Sequence, residues 1–87
     1  MHSYVDLAEK NKKLAAIQYI KLLGLKNPEK VVHEGNGIYV HINNKGRIRR
    51  MVVCISHTEY AKKEKEYSVK YKTRFKKCLG YYVLELL

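Results

Sequence analysis

Apolar residues at Tyr4, Leu7, Leu14, Ile17, Leu22 and Leu23 recur along one helical face, with lysines mostly opposite. This predicts an amphipathic helix from a cap at Ser3 or Asp6 to about Leu23. Gly24 and Asn27-Pro28 end it, because glycine releases the backbone and the residue before proline avoids the helical region. Lys30 to Glu34 reads as a short strand closed by Gly35-Asn36-Gly37. Alternation then runs from Gly37 to Asn43, turns at Asn44-Lys45-Gly46, and resumes from Arg47 to Ser56. The turn suits a three-residue hairpin loop with glycine in the left-handed position.

Pairing Asn43 with Arg47 sets residue 41 against 49, 39 against 51 and 38 against 52. Strand side chains alternate sides. One face therefore holds Ile38, Val40, Ile42, Ile48, Val52 and Cys54, with Arg50 as the exception. The other holds Tyr39, His41, Arg47, Arg49 and Met51. The first reads as the core face and the second as the outer face. Arg50 then implies an open strand edge or an arginine stem reaching out to water.

Ser56 and Glu59 fit a capping box, so a helix can start there. Two periods compete beyond it. Tyr67, Val69, Tyr71, Thr73 and Phe75 alternate with Ser68, Lys70, Lys72, Arg74 and Lys76, which favours a helical turn or loop over 57–66 and a strand over 67–76. Tyr60, Tyr67, Tyr71, Phe75 and Cys78 also fit helical spacing, which leaves a second helix over about 57–79 as the alternative. Tyr81 to Leu87 reads as a final buried strand. The expected fold is α+β: an N-terminal amphipathic helix on a small antiparallel sheet of three to four strands, or α-β-β-α-β in the alternative.

At 87 residues and 46% hydrophobic content, the chain suits one small folded domain over 1–87. Met1-His2-Ser3-Tyr4 lacks the pattern of a secretory leader, and no apolar run is long enough to span a bilayer. A soluble, cytoplasmic protein is expected, with Cys54 and Cys78 as ordinary thiols.

Charge changes the picture most. Twelve of the eighteen basic residues lie between Asn44 and Lys77, against three acids there (Glu59, Glu64 and Glu66), in a chain of formal charge +10. A regional field of this kind is the footprint of a protein that meets polyanions. Strand-borne Lys70, Lys72, Arg74 and Lys76 would project roughly 6.5–7 Å apart, near the phosphate spacing along one nucleic-acid strand. Lys77 extends that set, and Lys45, Arg47, Arg49 and Arg50 add the hairpin. Tyr39 and His41 share the supposed outer face and suit stacking on unpaired bases. Reversing Lys70, Lys72 and Arg74 to Glu is expected to abolish binding and leave the fold intact.

Other chemistry is weakly signalled. Cys54-Ile55-Ser56-His57 has a metal-like spacing, but the register separates it from His41 and no second Cys/His pair is present, so no metal or cofactor is expected. The eight acids are scattered, so no catalytic residues are assigned and the chain reads as a non-enzyme. The expected function is nucleic-acid binding, DNA or RNA, without membrane association. The alternative is a small interaction or inhibitor protein, phage or mobile-element encoded, that binds an acidic protein or a protein–nucleic-acid complex. A C-terminal strand at a sheet edge would support a homodimer.

Overall fold

The structure, a computed structural model, describes residues 4–43 and 45–87, with only the backbone of residues 4–6. Ser3, one of the two expected helix caps, lies outside the described residues. The elements are α1 (Tyr4–Leu22), β1 (Val31–Gly35), β2 (Ile38–Ile42), β3 (Ile48–Cys54), α2 (His57–Tyr67), β4 (Thr73–Cys78) and β5 (Tyr81–Leu86). The fold is α+β. Its sheet is antiparallel and has five strands in the order β1-β2-β3-β5-β4, where the sequence predicts three to four.

The hairpin register is as expected: Ile38 pairs with Val52, Tyr39 with Met51 and His41 with Arg49. The Asn43 N–H donates to the Arg47 carbonyl, and the Asn43 side chain accepts from the N–H groups of Lys45 and Arg47. This side-chain turn holds the tip.

The assignment of faces holds on one side, where Val40, Val52 and Cys54 are buried, and fails on the other. α1 packs on the face of Tyr39, His41 and Met51, the one the sequence predicts to be outer. Ala15, Ala16, Tyr19 and Ile20 of α1 meet Val31, Tyr39, Met51, Val53, Cys78 and Val83 there. Leu7, Leu14 and Leu22, taken from the sequence as core, are exposed. The small alanines let the helix approach the sheet closely, and the leucines lie off that line of contact.

α2 covers part of the opposite face. Tyr60 and Tyr67 join Val52, Cys54 and Leu84 there, whereas Ile42 and Ile48 stay exposed beyond its reach. Both faces of the central strands are therefore core. Ser56 caps α2 by accepting from the Glu59 N–H, a cap typically worth about 1 kcal/mol. Glu59 reaches back with a long contact to the Ile55 N–H.

The second helix of the alternative is present but ends at Tyr67 rather than about 79, and the strand expected over 67–76 begins only at Thr73. Lys70, Tyr71 and Lys72 form the connection, and β4 begins at Thr73. Cys78 pairs with Tyr81 across a two-residue turn, Leu79-Gly80, in which both residues have positive φ, as in a type I′ hairpin. β5 lies between β3 and β4. Its hydrogen-bonding edges are both occupied, so the C-terminal strand is not the sheet edge on which a homodimer through it would depend.

Candidate functional site

Glu85 is the one acid in the apolar run from Tyr81 to Leu87. Alternation along β5 turns it to the α1 face with Tyr81 and Val83, and it is 1% exposed. A carboxylate at that depth needs charged or hydrogen-bonding partners. The Tyr19 hydroxyl, from α1, donates to one of its oxygens. Arg49 Nη1, from β3, lies 2.6 Å from the other. Arg74 Nη1, from β4, stands 3.9 Å away. One carboxylate thus ties α1, β3 and β4 to β5. The proton of Tyr19 is held more tightly than usual, first by burial and then by the bond to Glu85 and its charge, with Arg74 opposing.

The same end of the sheet gathers cations, and the strand register shows how. Arg50 and Thr73 both pair with Leu86 of β5, and the Leu87 N–H donates to the Lys72 carbonyl at 2.7 Å. Arg49 and Lys72 therefore flank the same stretch of β5. The hairpin tip with Lys45 and Arg47 immediately precedes β3 at this end, and Lys70 lies in the connection from α2 to β4. The segment after α1 crosses this end on its way to β1. Its Asn27 carbonyl accepts from Nε2 of His41, and its Lys26 joins Gly24, Leu25, Asn43, Lys45 and Arg47 around an open cavity of about 410 Å³. Lys26, Lys45, Arg47, Lys70 and Lys72 have no ion-pair partner among the described residues.

The expected site is thus divided. Lys45 and Arg47 line one cavity, Lys72 lies toward the same end of the sheet by register, and Lys70 is exposed in the connection after α2. Arg49 and Arg74 are at the same end but engaged by Glu85, and Arg74 does not face solvent alone. Arg50 lies on the α2 face and pairs with Glu34 at 3.3 Å. β3 is interior, so its stem reaches out to water and marks no open edge. Lys76 and Lys77 lie further along β4, toward the Leu79-Gly80 turn, with Lys77 Nζ 5.3 Å from the centre of the Tyr82 ring.

Tyr39 and His41 are corrected outright. Both are buried under α1 and neither can stack on a base. The Tyr39 hydroxyl donates to the Glu9 carbonyl, and its pKa is pushed up to about 12, by burial first and then by the charges of Glu9 and Tyr81. Tyr71, between Lys70 and Lys72 in the chain, is 42% exposed, with its ring centre 6.3 Å from that of Tyr67.

Lys26 and Glu85 escape the sequence reading. Lys26 lies outside the basic stretch and reaches the site only through the path of the chain. Glu85 did carry a signal, as a lone acid in an apolar strand. Cys54 and Cys78 face opposite sides of the sheet. Among the described residues no group of three or more His, Cys, Asp or Glu is placed to hold a metal ion, and no helix is long and apolar enough to cross a membrane. No protein-family model, curated protein or solved structure matches the chain.

Proposed function

We propose that the protein binds nucleic acid without catalysing a reaction, through the end of the sheet where Lys26, Lys45, Arg47, Lys70 and Lys72 come together. What supports this reading is that these five cations are exposed and have no ion-pair partner among the described residues, while the buried Glu85 is occupied by Arg49 and Arg74. Lysines act as point charges, so these contacts position a backbone and read little sequence. Tyr71 offers a flat ring beside them for an unpaired base. The free, buried cysteines support an intracellular, cytoplasmic setting.

Binding to single- and double-stranded DNA and RNA, followed against salt, tests the proposal. Log affinity should fall linearly with log salt, with a slope of roughly 0.7–0.9 per phosphate neutralised. The triple variant Lys45→Glu, Arg47→Glu, Lys72→Glu should fold normally and lose binding. A folded triple variant that binds like the wild type would refute the assignment. An acidic protein partner would instead give an interface much less sensitive to salt.

A further inference from the structure

The two edges of the sheet, β1 and β4, are differently built. β4 carries Arg74, Lys76 and Lys77 among its six residues. Such a row of cations keeps an edge from pairing with a copy of itself. β1 carries no cation; Lys30 precedes it and Glu34 lies near its end. Among the described residues nothing pairs with its outer side.

The hydrogen-bond phase shows what that outer side offers. The Asn43 N–H bonds to the Arg47 carbonyl and the Val53 N–H to the Gly37 carbonyl. Odd-numbered residues of β2 therefore bond to β3, and the even-numbered Ile38 and Val40 bond to β1, because bonding directions alternate along an antiparallel strand. Val40 pairs with Val32. The N–H and C=O of Val32 thus point into the sheet, while those of Val31 and His33 point out of it.

We propose that β1 pairs antiparallel with β1 of a second copy about a two-fold axis at Val32, joining the two sheets into one. In that register Val31 faces the partner's His33. The pair exchanges two backbone hydrogen bonds, and the symmetric pair exchanges two more, so every outward group of Val31 and His33 is satisfied. Val32, 55% exposed in the single chain, meets the partner's Val32 across the axis, in the closer type of cross-strand pair. Lys30 comes beside the partner's Glu34, a carboxylate that also pairs with Arg50 of its own chain. This isologous match of opposite charges fixes register more than it adds strength. The β-bulge between His33 and Gly35 limits the pairing to this short segment, so the association is weak.

Each copy carries a formal charge of +10, and the resulting repulsion is screened by salt. Dimerisation should therefore strengthen as salt rises, opposite in sign to nucleic-acid binding. The two proposals can fail separately.

Sedimentation equilibrium from micromolar to millimolar protein, at low and high salt, tests the pairing. The mass should rise from one chain toward two, more so at high salt. Val32→Glu sets two carboxylates against each other at the axis and should hold the protein as a monomer. Val32→Cys should give a disulfide-linked dimer with oxidised glutathione, whereas Lys76→Cys on β4 should not; Cys54 and Cys78 are buried and do not compete. A wild type that stays monomeric at millimolar concentration in high salt overturns the proposal. So does a Val32→Glu dimer, or cross-linking at residue 76 as fast as at residue 32. If Val32→Glu fails to fold, the cysteine pair decides.

Discussion

Arg49 Nη1 lies 2.6 Å from Oε2 of Glu85, and this pair joins β3 to β5 beneath α1. The two partners are unequally buried: the Glu85 side chain is 1% exposed and that of Arg49 28%. Removing the arginine strands a carboxylate with the Tyr19 hydroxyl and the more distant Arg74. Breaking a buried pair from that side costs about 3–5 kcal/mol. Glu85→Gln keeps an oxygen for Tyr19 and leaves an arginine that can turn to water, so it should cost less, on the order of 1–2 kcal/mol. Urea denaturation of Arg49→Ala, Glu85→Gln and the double variant checks this. The double variant should lose less than the sum of the two. An Arg49→Ala protein as stable as the wild type would show that the pair does not support the fold.

Leu79 holds a φ of +51° in the turn before Gly80. A side chain branched at Cγ gains nothing there, because Leu79 is largely exposed. Left-handed backbone costs a non-glycine residue about 1–2 kcal/mol, and asparagine tolerates it best among the others. Leu79→Asn makes the Asn-Gly pair that a type I′ hairpin favours. It should stabilise the protein by on the order of 1 kcal/mol, read as a higher denaturation midpoint with an unchanged slope. A lower midpoint would mean that Leu79 makes contacts beyond the turn.

That turn also explains where the sequence stops being legible. Leu-Gly is not a usual hairpin signal, so the β4–β5 hairpin is hidden. The strand pattern over Tyr67–Lys76 then competes with helical spacing without a boundary to settle it. Asn44-Lys45-Gly46, by contrast, announces the β2–β3 hairpin, and its register can be read to the residue. Alternation alone does not say which face meets α1, because helices cover both faces of the central strands. The α1 stripe misleads for a related reason. Leucines outrank alanines in hydropathy, yet Ala15 and Ala16 make the close contact. The concentration of basic residues is plain in the sequence. Its division into exposed cations and arginines held by Glu85 is not, because that depends on which strand lies beside β5.

Stability should fall at alkaline pH for a reason visible in the core. Burial, reinforced by the charge of Glu59 and opposed by Lys12 and Lys63, pushes the Cys54 thiol from 9.0 to about 11. Tyr39 moves from 10.0 to about 12, and Cys78 is raised as well, by burial. A raised acid stabilises the folded state fully while the unfolded chain still holds its proton, and that stability is lost as pH rises toward the folded value. The loss should therefore begin near pH 9 with the thiols and steepen above pH 10 as tyrosines join. Each tenfold tightening of the hold on a proton is worth about 1.4 kcal/mol, so Cys54 alone gives up on the order of 2–3 kcal/mol as it ionises. Urea midpoints across alkaline pH check this, and Cys54→Ala should fall less steeply just above pH 9. A midpoint that stays flat through pH 11 would contradict the burial of these groups.

Tyr71 separates two kinds of nucleic-acid contact. Phosphate binding by Lys45, Arg47 and Lys72 needs no unpaired base: it follows charge density, which a duplex presents at about twice the level of a single strand. A tyrosine ring can stack only on a base that has left its partner, at about 1–3 kcal/mol per base. Tyr71→Ala should weaken single-strand binding roughly 5- to 150-fold by that measure, change duplex binding little, and leave the salt slope unaltered. Lys76→Ala and Lys77→Ala, further along β4 from the basic end, should affect both targets weakly. Fluorescence anisotropy on matched single strands and duplexes makes the comparison. Equal losses on both forms would mean that Tyr71 supports the positions of Lys70 and Lys72 and does not touch a base.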